Sequence, residues 1–211
     1  MTPLRALMVD VDGVIITPRP GGWAMDLERD VGLSSAVLQE HFFRPHWNDI
    51  VLGRAALHDR LAAVLAEHAP HLTSHQLAAY WFDHDAQLNH PLLADLAALR
   101  ATGVQLHLAT IQEHERAAYL WDTLALRHRF DAMHYAAEIG AKKSDPAFYR
   151  AVEARTGLAP ADLTLLDDTV TIVEAARAAG WRGLHWTGEQ ALAAVLADSA
   201  IPCGWDSARP Q

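Results

Sequence analysis

The sequence predicts an α/β fold, a doubly wound and mainly parallel sheet with a helical module inserted after the first strand. Three observations carry that expectation. An apolar run ends in Asp10-Val11-Asp12-Gly13 close to the N-terminus, as a buried strand does where it gives way to a loop. From Pro91 onward helical and strand periods alternate, the pattern of successive βα units. Between Gly13 and about Asn89 that alternation is missing and only helical stretches stand out.

Taken in order, the first strand runs into Asp10 and is followed by a Pro/Gly-rich turn around Pro18 to Gly22. Helical periods then cover residues 34–43, 54–68 and 74–82, with Ser34 and Ser74 as N-caps. A Leu/Ala-rich helix over 91–101 has proline in its first turn and Gly103 at its end. Strands follow at 104–109, 132–135, 163–166 and 183–186. They are separated by helices at about 113–124, 146–155 and 170–179, and a last helix spans 189–196. The expected organisation is a core of residues 1–17 and 90–200, a helical insertion of 18–89 and a short tail of 201–211.

Composition narrows the class. With 211 residues, 51% of them apolar, the chain can bury one substantial core and a small second module. A net charge of -9 argues against nucleic acid as a partner, because phosphate-backbone binding needs clustered Lys and Arg. The single cysteine, Cys203, cannot close an internal disulfide. No long apolar leader or membrane span is visible, so the expected location is the cytoplasm. Among thirteen histidines, His68, His71 and His75 recur at near-helical spacing, but Pro70 interrupts them and no second ligand pattern accompanies them. They read as surface. His107 lies in an apolar strand and reads as a core histidine.

The strand ends carry the chemistry. Asp10 and Asp12 suit a division of labour in which Asp10 attacks phosphorus while Asp12 gives and then takes a proton. An ordinary strand end with Asp-Gly turn chemistry has the same local look. Thr110 closes the strand at 104–109, where its hydroxyl and the following amides at a helix start can hold a phosphate oxygen, or simply cap a helix. Lys142 and Lys143 precede another helix, and one of them can neutralise nucleophile and phosphoryl group alike. Asp167 and Asp168 end a second apolar strand. Two such acidic pairs at neighbouring strand ends repel one another unless a cation sits among them, and Mg²⁺ suits oxygen ligands of this kind.

In order and spacing these residues resemble the haloacid dehalogenase-like hydrolase superfamily over nearly the whole chain. Asp10-Val11-Asp12-Gly13-Val14, Thr110, Lys143 and Asp167-Asp168 stand for its four motifs. The resemblance implies a Rossmann-like sheet with a mobile cap after the first strand, and the insertion looks like the small helical cap of the first subclass. It implies that Asp10 is nucleophile and metal ligand, and that Asp12 is the acid/base lending its backbone carbonyl to Mg²⁺. Asp168 is then a direct ligand, Asp167 binds directly or through water, and Thr110, Ile111 and Lys143 bind the phosphoryl group. Ile111, Ser144 and Ile172 depart from the usual asparagine, proline and asparagine of similar sequences.

Because halide leaves without a proton and an alkoxide does not, Asp12 favours a phosphatase over a dehalogenase. The expectation is Mg²⁺-dependent hydrolysis of a small phosphomonoester, such as a sugar phosphate, through an aspartyl-phosphate. A phosphomutase, a 2-haloacid dehalogenase and a weakly active phosphate-ester-binding protein are the rivals. Trp23, Arg44, His46, Trp47 and Trp81 are candidates for lining the entrance.

Overall fold

The structure, a computed structural model, describes residues 4–198. It begins with β1 (Ala6–Val9), followed by an insertion of α1 (Leu27–Val31), α2 (Ser35–Leu38), α3 (Arg44–Val51), α4 (Leu57–His68) and α5 (Ser74–His84). The chain continues through α6 (His90–Ala101), β2 (Gln105–Thr110), α7 (His114–Ala118) and β3 (Ala132–Tyr135). It ends with α8 (Ala136–Ile139), α9 (Pro146–Thr156), β4 (Leu163–Asp167), α10 (Val170–Ala178), β5 (Arg182–His185) and α11 (Leu192–Asp198). The tail at 201–211, with Cys203, lies outside the described residues.

The strands form one parallel sheet in the order β3-β2-β1-β4-β5. After β1 the chain builds outward through β2 and β3, then crosses to the other side of β1 for β4 and β5. A crevice therefore opens at the carboxyl end of β1, where the direction of winding reverses. Alternation along the strands feeds two apolar layers. Leu7, Val9, Leu106, Leu108 and Leu166 pack with α6 and α11. Ala6, Met8, Ala109, Leu163 and Leu165 pack with α9 and α10. The central strands β1, β2 and β4 are largely apolar because both of their faces are covered.

On β2 and β3, two buried imidazoles face one another. His107 and His134 stack with centroids 5.3 Å apart and planes inclined by 16°. Nδ1 of His107 lies 3.2 Å from Nε2 of His134, and Nε2 of His107 lies 3.4 Å from Gln105 Oε1. A proton on Nε2 of His107 satisfies Gln105, which leaves His107 Nδ1 to accept from His134. His134 Nδ1 then keeps an unpartnered lone pair.

The insertion has its own apolar core, built from Leu27, Phe42, Ile50, Leu61, Leu65, Leu77, Trp81 and neighbours. Its two connections meet: Thr17 N–H donates to Gln87 O at 2.8 Å, Ile16 bridges Leu88, and Asn89 N–H donates to Ile15 O at 2.8 Å. The stretch expected as one helix over 34–43 begins at α2, passes through a π-helical turn at Gln39–Phe43 and runs on into α3. Pro45 explains the widened turn, since it lacks an N–H and resists the ordinary ladder, and Arg44 N–H instead reaches back five residues to Gln39 O. Thr73, not Ser74, caps α5, because only Thr73 has Gln76 three residues on to complete a reciprocal capping box. Among the described residues no helix is long and apolar enough to cross a membrane.

Candidate active site

The ladder between β1 and β4 extends one residue beyond β1, with Asp10 N–H donating to Leu166 O at 2.9 Å, so Asp10 leaves the sheet in a fixed direction. The chain then folds back on itself. Val11 O accepts from Val14 N–H at 3.2 Å and Ile16 N–H at 2.8 Å, and Gly13 N–H donates to Ile16 O at 2.9 Å. This loop returns Asp12 to the mouth of the crevice, where it is exposed, while Asp10 stays 7% exposed beneath it. Gly13 has φ +79°, and a Cβ built there would run into the Asp168 carboxylate. Glycine is needed at this point for both reasons.

Lys143, 2% exposed, places its ammonium 2.6 Å from Asp10 Oδ1 and 2.6 Å from Asp167 Oδ2. Asp167 ends β4 with no exposed surface, and its other oxygen accepts from Thr169 N–H at 2.9 Å. Asp168 is exposed toward the cavity and accepts from the Thr169 hydroxyl at 3.2 Å. Thr110 closes β2, almost wholly buried. A cavity of about 400 Å³ is lined by Asp10, Asp12, Thr110, Ile111, Lys143, Asp167 and Asp168, and completed by Gly13, Pro18, Thr169 and Ile172. The structure thus gathers in one place the two acidic strand ends, Thr110, Ile111 and one of the two lysines, Lys143.

Charge in this cavity is out of balance. Burial pushes the Asp10 carboxyl up to about 7; Lys143 opposes this, and Asp167 and Asp12 add to it. Burial also works against the Lys143 ammonium, but Asp10 and Asp167 outweigh it and raise its pKa. The cavity walls raise the Asp12 carboxyl as well, against the pull of Arg116 and a hydrogen bond from Gln112. Lys143 is therefore the cation that first relieves the repulsion expected between the acidic pairs. Four carboxyl groups still line the cavity with one ammonium, and Asp10, Asp167 and Asp168 can bring oxygen atoms within 4.8 Å of one another. That donor set is hard and anionic, and it fits a divalent cation such as Mg²⁺.

Some expectations change. Thr110 does not stand at a helix start: α7 begins at His114, and Glu113 caps it by accepting from the N–H groups of Glu115 and Arg116 at 2.8 and 2.5 Å. The Glu113 carboxylate thus takes the first donors of α7, and the amides directly after Thr110 lie ahead of the helix. Lys142 turns to the insertion and donates to Asn48 Oδ1 at 2.7 Å. Trp23, Phe43, Trp47 and Trp81 form an aromatic cluster inside the insertion, with Trp23 and Trp81 stacked at 5.2 Å, and none of them lines the cavity. Arg44 pairs with Glu40 on the surface, and neither it nor His46 reaches the cavity. His71 binds Val31 O and His75 stacks on His58, with no metal-ligating group among them in the described residues.

Two residues near the site carry no local signal in the sequence. Gln112 Nε2 donates to Asp12 Oδ2 at 2.7 Å across a separation of 100 residues. Arg116, 2% exposed, donates to Phe82 O at 3.0 Å and to Asp85 O, and lies 3.5 Å from the Asp85 carboxylate. Its guanidinium sits 5.3 Å from the centres of both the Phe82 and Tyr119 rings. Together with Tyr119, whose hydroxyl donates to Asp83 at 2.8 Å, it ties the end of α5 to α7.

Solved structures share this architecture at low sequence identity. A HAD family enzyme of Bacteroides thetaiotaomicron superposes with TM-score 0.77 at 14% identity over 92% of this chain and 99% of its own. The same enzyme has been crystallised with magnesium and inorganic phosphate, in a form that superposes with TM-score 0.76 at 14% identity over 91% of this chain and 98% of its own. A HAD-like family hydrolase of Porphyromonas gingivalis gives 0.74 at 18% identity over 93% and 98%. A dehalogenase also superposes, with TM-score 0.63 at 16% identity over 90% and 88%, so the fold alone does not choose a reaction. Sequence comparison with curated proteins finds no match. The sequence pattern of one family, described as haloacid dehalogenase-like hydrolase, runs from residue 4 to residue 180 and so spans both acidic strand ends, and to that family of hydrolases the chain belongs.

Proposed function

We propose that the protein is a Mg²⁺-dependent phosphatase that hydrolyses a small phosphomonoester through an aspartyl-phosphate on Asp10. The observation that carries this reading is Asp12: a second carboxyl, two residues beyond the nucleophile, exposed at the mouth of the same cavity and held by a hydrogen bond. Halide displacement has no use for a proton donor there, whereas an alkoxide leaving group needs one.

In the first step an oxygen of Asp10 forms a bond to phosphorus while the ester P–O bond breaks, and the Asp12 proton passes to the departing oxygen, releasing the alcohol. In the second, Asp12 takes a proton from water as its oxygen attacks the same phosphorus. The Asp10–phosphorus bond breaks and inorganic phosphate leaves, restoring both carboxyls. Lys143 holds Asp10 in place and offsets charge on the transferring group, and Thr110 offers its hydroxyl to a phosphoryl oxygen. Asp10 and Asp168, with the Asp12 backbone carbonyl and with Asp167 directly or through water, are the groups to hold Mg²⁺. When bound, the metal supplies positive charge beside the phosphoryl oxygens. Asp167 is already engaged by Lys143 and Thr169, which favours Asp168 as the direct ligand of that pair.

The neighbour crystallised with magnesium and phosphate supports this assignment of ligand classes. A cavity of about 400 Å³ suits a metabolite and not a macromolecule. We take residues 18–89 as a cap whose closure excludes water from the reaction. The deciding experiment is phosphate release from a panel of small phosphomonoesters, with Mg²⁺ and with chelator, for the natural chain and for Asp10→Asn. Metal-dependent release lost in the variant is the expected result. Absence of release, with halide freed from 2-haloacids in the presence of chelator, overturns the reading.

A further inference from the structure

We infer that Gln112 is the positioning residue that holds Asp12 for proton transfer, an inference that rests on the phosphatase reading. Asp12 sits on a narrow loop at the mouth of the cavity, where its carboxylate needs a directional partner to keep one orientation. Among the described residues the one hydrogen bond to that carboxylate comes from Gln112 Nε2, at 2.7 Å. Gln112 is itself 4% exposed, and its backbone carbonyl accepts from Ala137 N–H at 3.1 Å. It lies between the end of β2 and the capped start of α7, on backbone anchored at both sides. A fixed donor thus reaches across to the acid.

The chemistry of the side chain matches the task. Asp12 must serve as acid in one step and base in the next, so its partner has to tolerate both forms. A primary amide does this without charge: its NH₂ donates to the carboxylate, and its carbonyl accepts from the carboxylic acid after a turn about the last side-chain bond. A lysine or arginine in the same place would favour only the anion. The nearby cation Arg116 is kept from that role by its own partners, since its guanidinium is bound to the carbonyls of Phe82 and Asp85 and to the Asp85 carboxylate. Gln112 is left as the direct neighbour.

The test is the dependence of kcat/KM on leaving group, across aryl and alkyl phosphates from p-nitrophenyl phosphate to propyl phosphate at saturating Mg²⁺. Gln112→Met keeps the length of the side chain and removes the donor; Gln112→Leu serves if the first variant does not fold by circular dichroism. An aryl oxide leaves with little help, whereas an alkoxide depends on the acid. General acid catalysis is worth on the order of 10²–10⁴ in rate, so partial misplacement should lower kcat/KM for propyl phosphate about 10- to 100-fold and for p-nitrophenyl phosphate less than about threefold. A merely structural residue would lower both equally. Equal loss on all esters, or no loss on any, with the natural chain active, overturns the role of Gln112 and leaves the phosphatase reading standing. No phosphate release by the natural chain overturns both.

Discussion

Acidification from neutral pH should weaken the fold through the stacked pair His107 and His134, and the effect can be worked out. Burial, with smaller contributions from the neighbouring His107 and Arg155, pushes the His134 imidazole from 6.5 down to about 4. Burial lowers His107 as well. In the unfolded chain these rings take protons near the ordinary histidine value; in the native chain they resist until the pH is much lower. Between those limits the unfolded state binds more protons, so stability is fully present above about 6.5 and is lost as the pH falls toward about 4. For His134 the whole span is worth about 3 kcal/mol, of which about 2 kcal/mol is lost between about pH 7.5 and about pH 5. Solvent screening is slight because the ring is 4% exposed. Asp10, Asp12 and Glu113 act in the opposite sense, since burial raises their pKa values and keeps protons on the native state. The informative quantity is therefore the difference between the natural chain and His107→Leu/His134→Leu, by urea denaturation across that range. The natural chain should lose about 2 kcal/mol more than the variant on going to about pH 5. Parallel curves of stability against pH would refute the reasoning.

Three further outcomes are expected. Lys143→Met strips the ammonium from between Asp10 and Asp167, which should cost on the order of 3–5 kcal/mol and abolish phosphate release; Mg²⁺ should restore part of the melting temperature by binding the exposed charge. Gly13→Ala forces a side chain against the Asp168 carboxylate, so Mg²⁺ affinity by calorimetry should fall on the order of tenfold or more. Thr73→Ala removes the capping box of α5 and should cost about 1 kcal/mol, a drop of about 2–4 °C in melting temperature, with activity retained.

The βα portion was legible because the central strands β1, β2 and β4 are buried on both faces and the helices beside them on one, so composition and period agree. The strand Ala132–Tyr135 lies at the residues expected, and the helix from Pro146 ends within one residue of expectation. The insertion was read less well. Its short α1 has little room for a periodic pattern, and the expected helix over 34–43 stops short of Pro45, whereas the chain stays helical past it by way of the π-helical turn. The Thr73 cap was present in the sequence as Thr-x-x-Gln, and the adjacent serine obscured it. At the site, the residues that end strands were legible because position and chemistry coincide there. Gln112 and Arg116 were not, since their meaning depends on Asp12 and on Phe82 to Asp85, partners that only the folded topology supplies. The tryptophans erred in the other direction, as large apolar rings suit the interior of the insertion as well as an entrance.

The pairing of Thr17 with Gln87 and of Ile16 with Leu88 has a consequence for how such a chain can vary. Seen from the sheet, the whole insertion is a single loop whose two feet stand side by side. The entropy of closing such a loop grows only with the logarithm of its length, so lengthening it is thermodynamically mild. An insertion of different size or shape can therefore be spliced at the same seam without changing the packing beneath it. What the feet must keep is their spacing, because the loop carrying Asp12 is anchored to one of them through the bridge between Asp12 and Ile16. The insertion is in this sense interchangeable, while the position of Asp12 is tied to the seam.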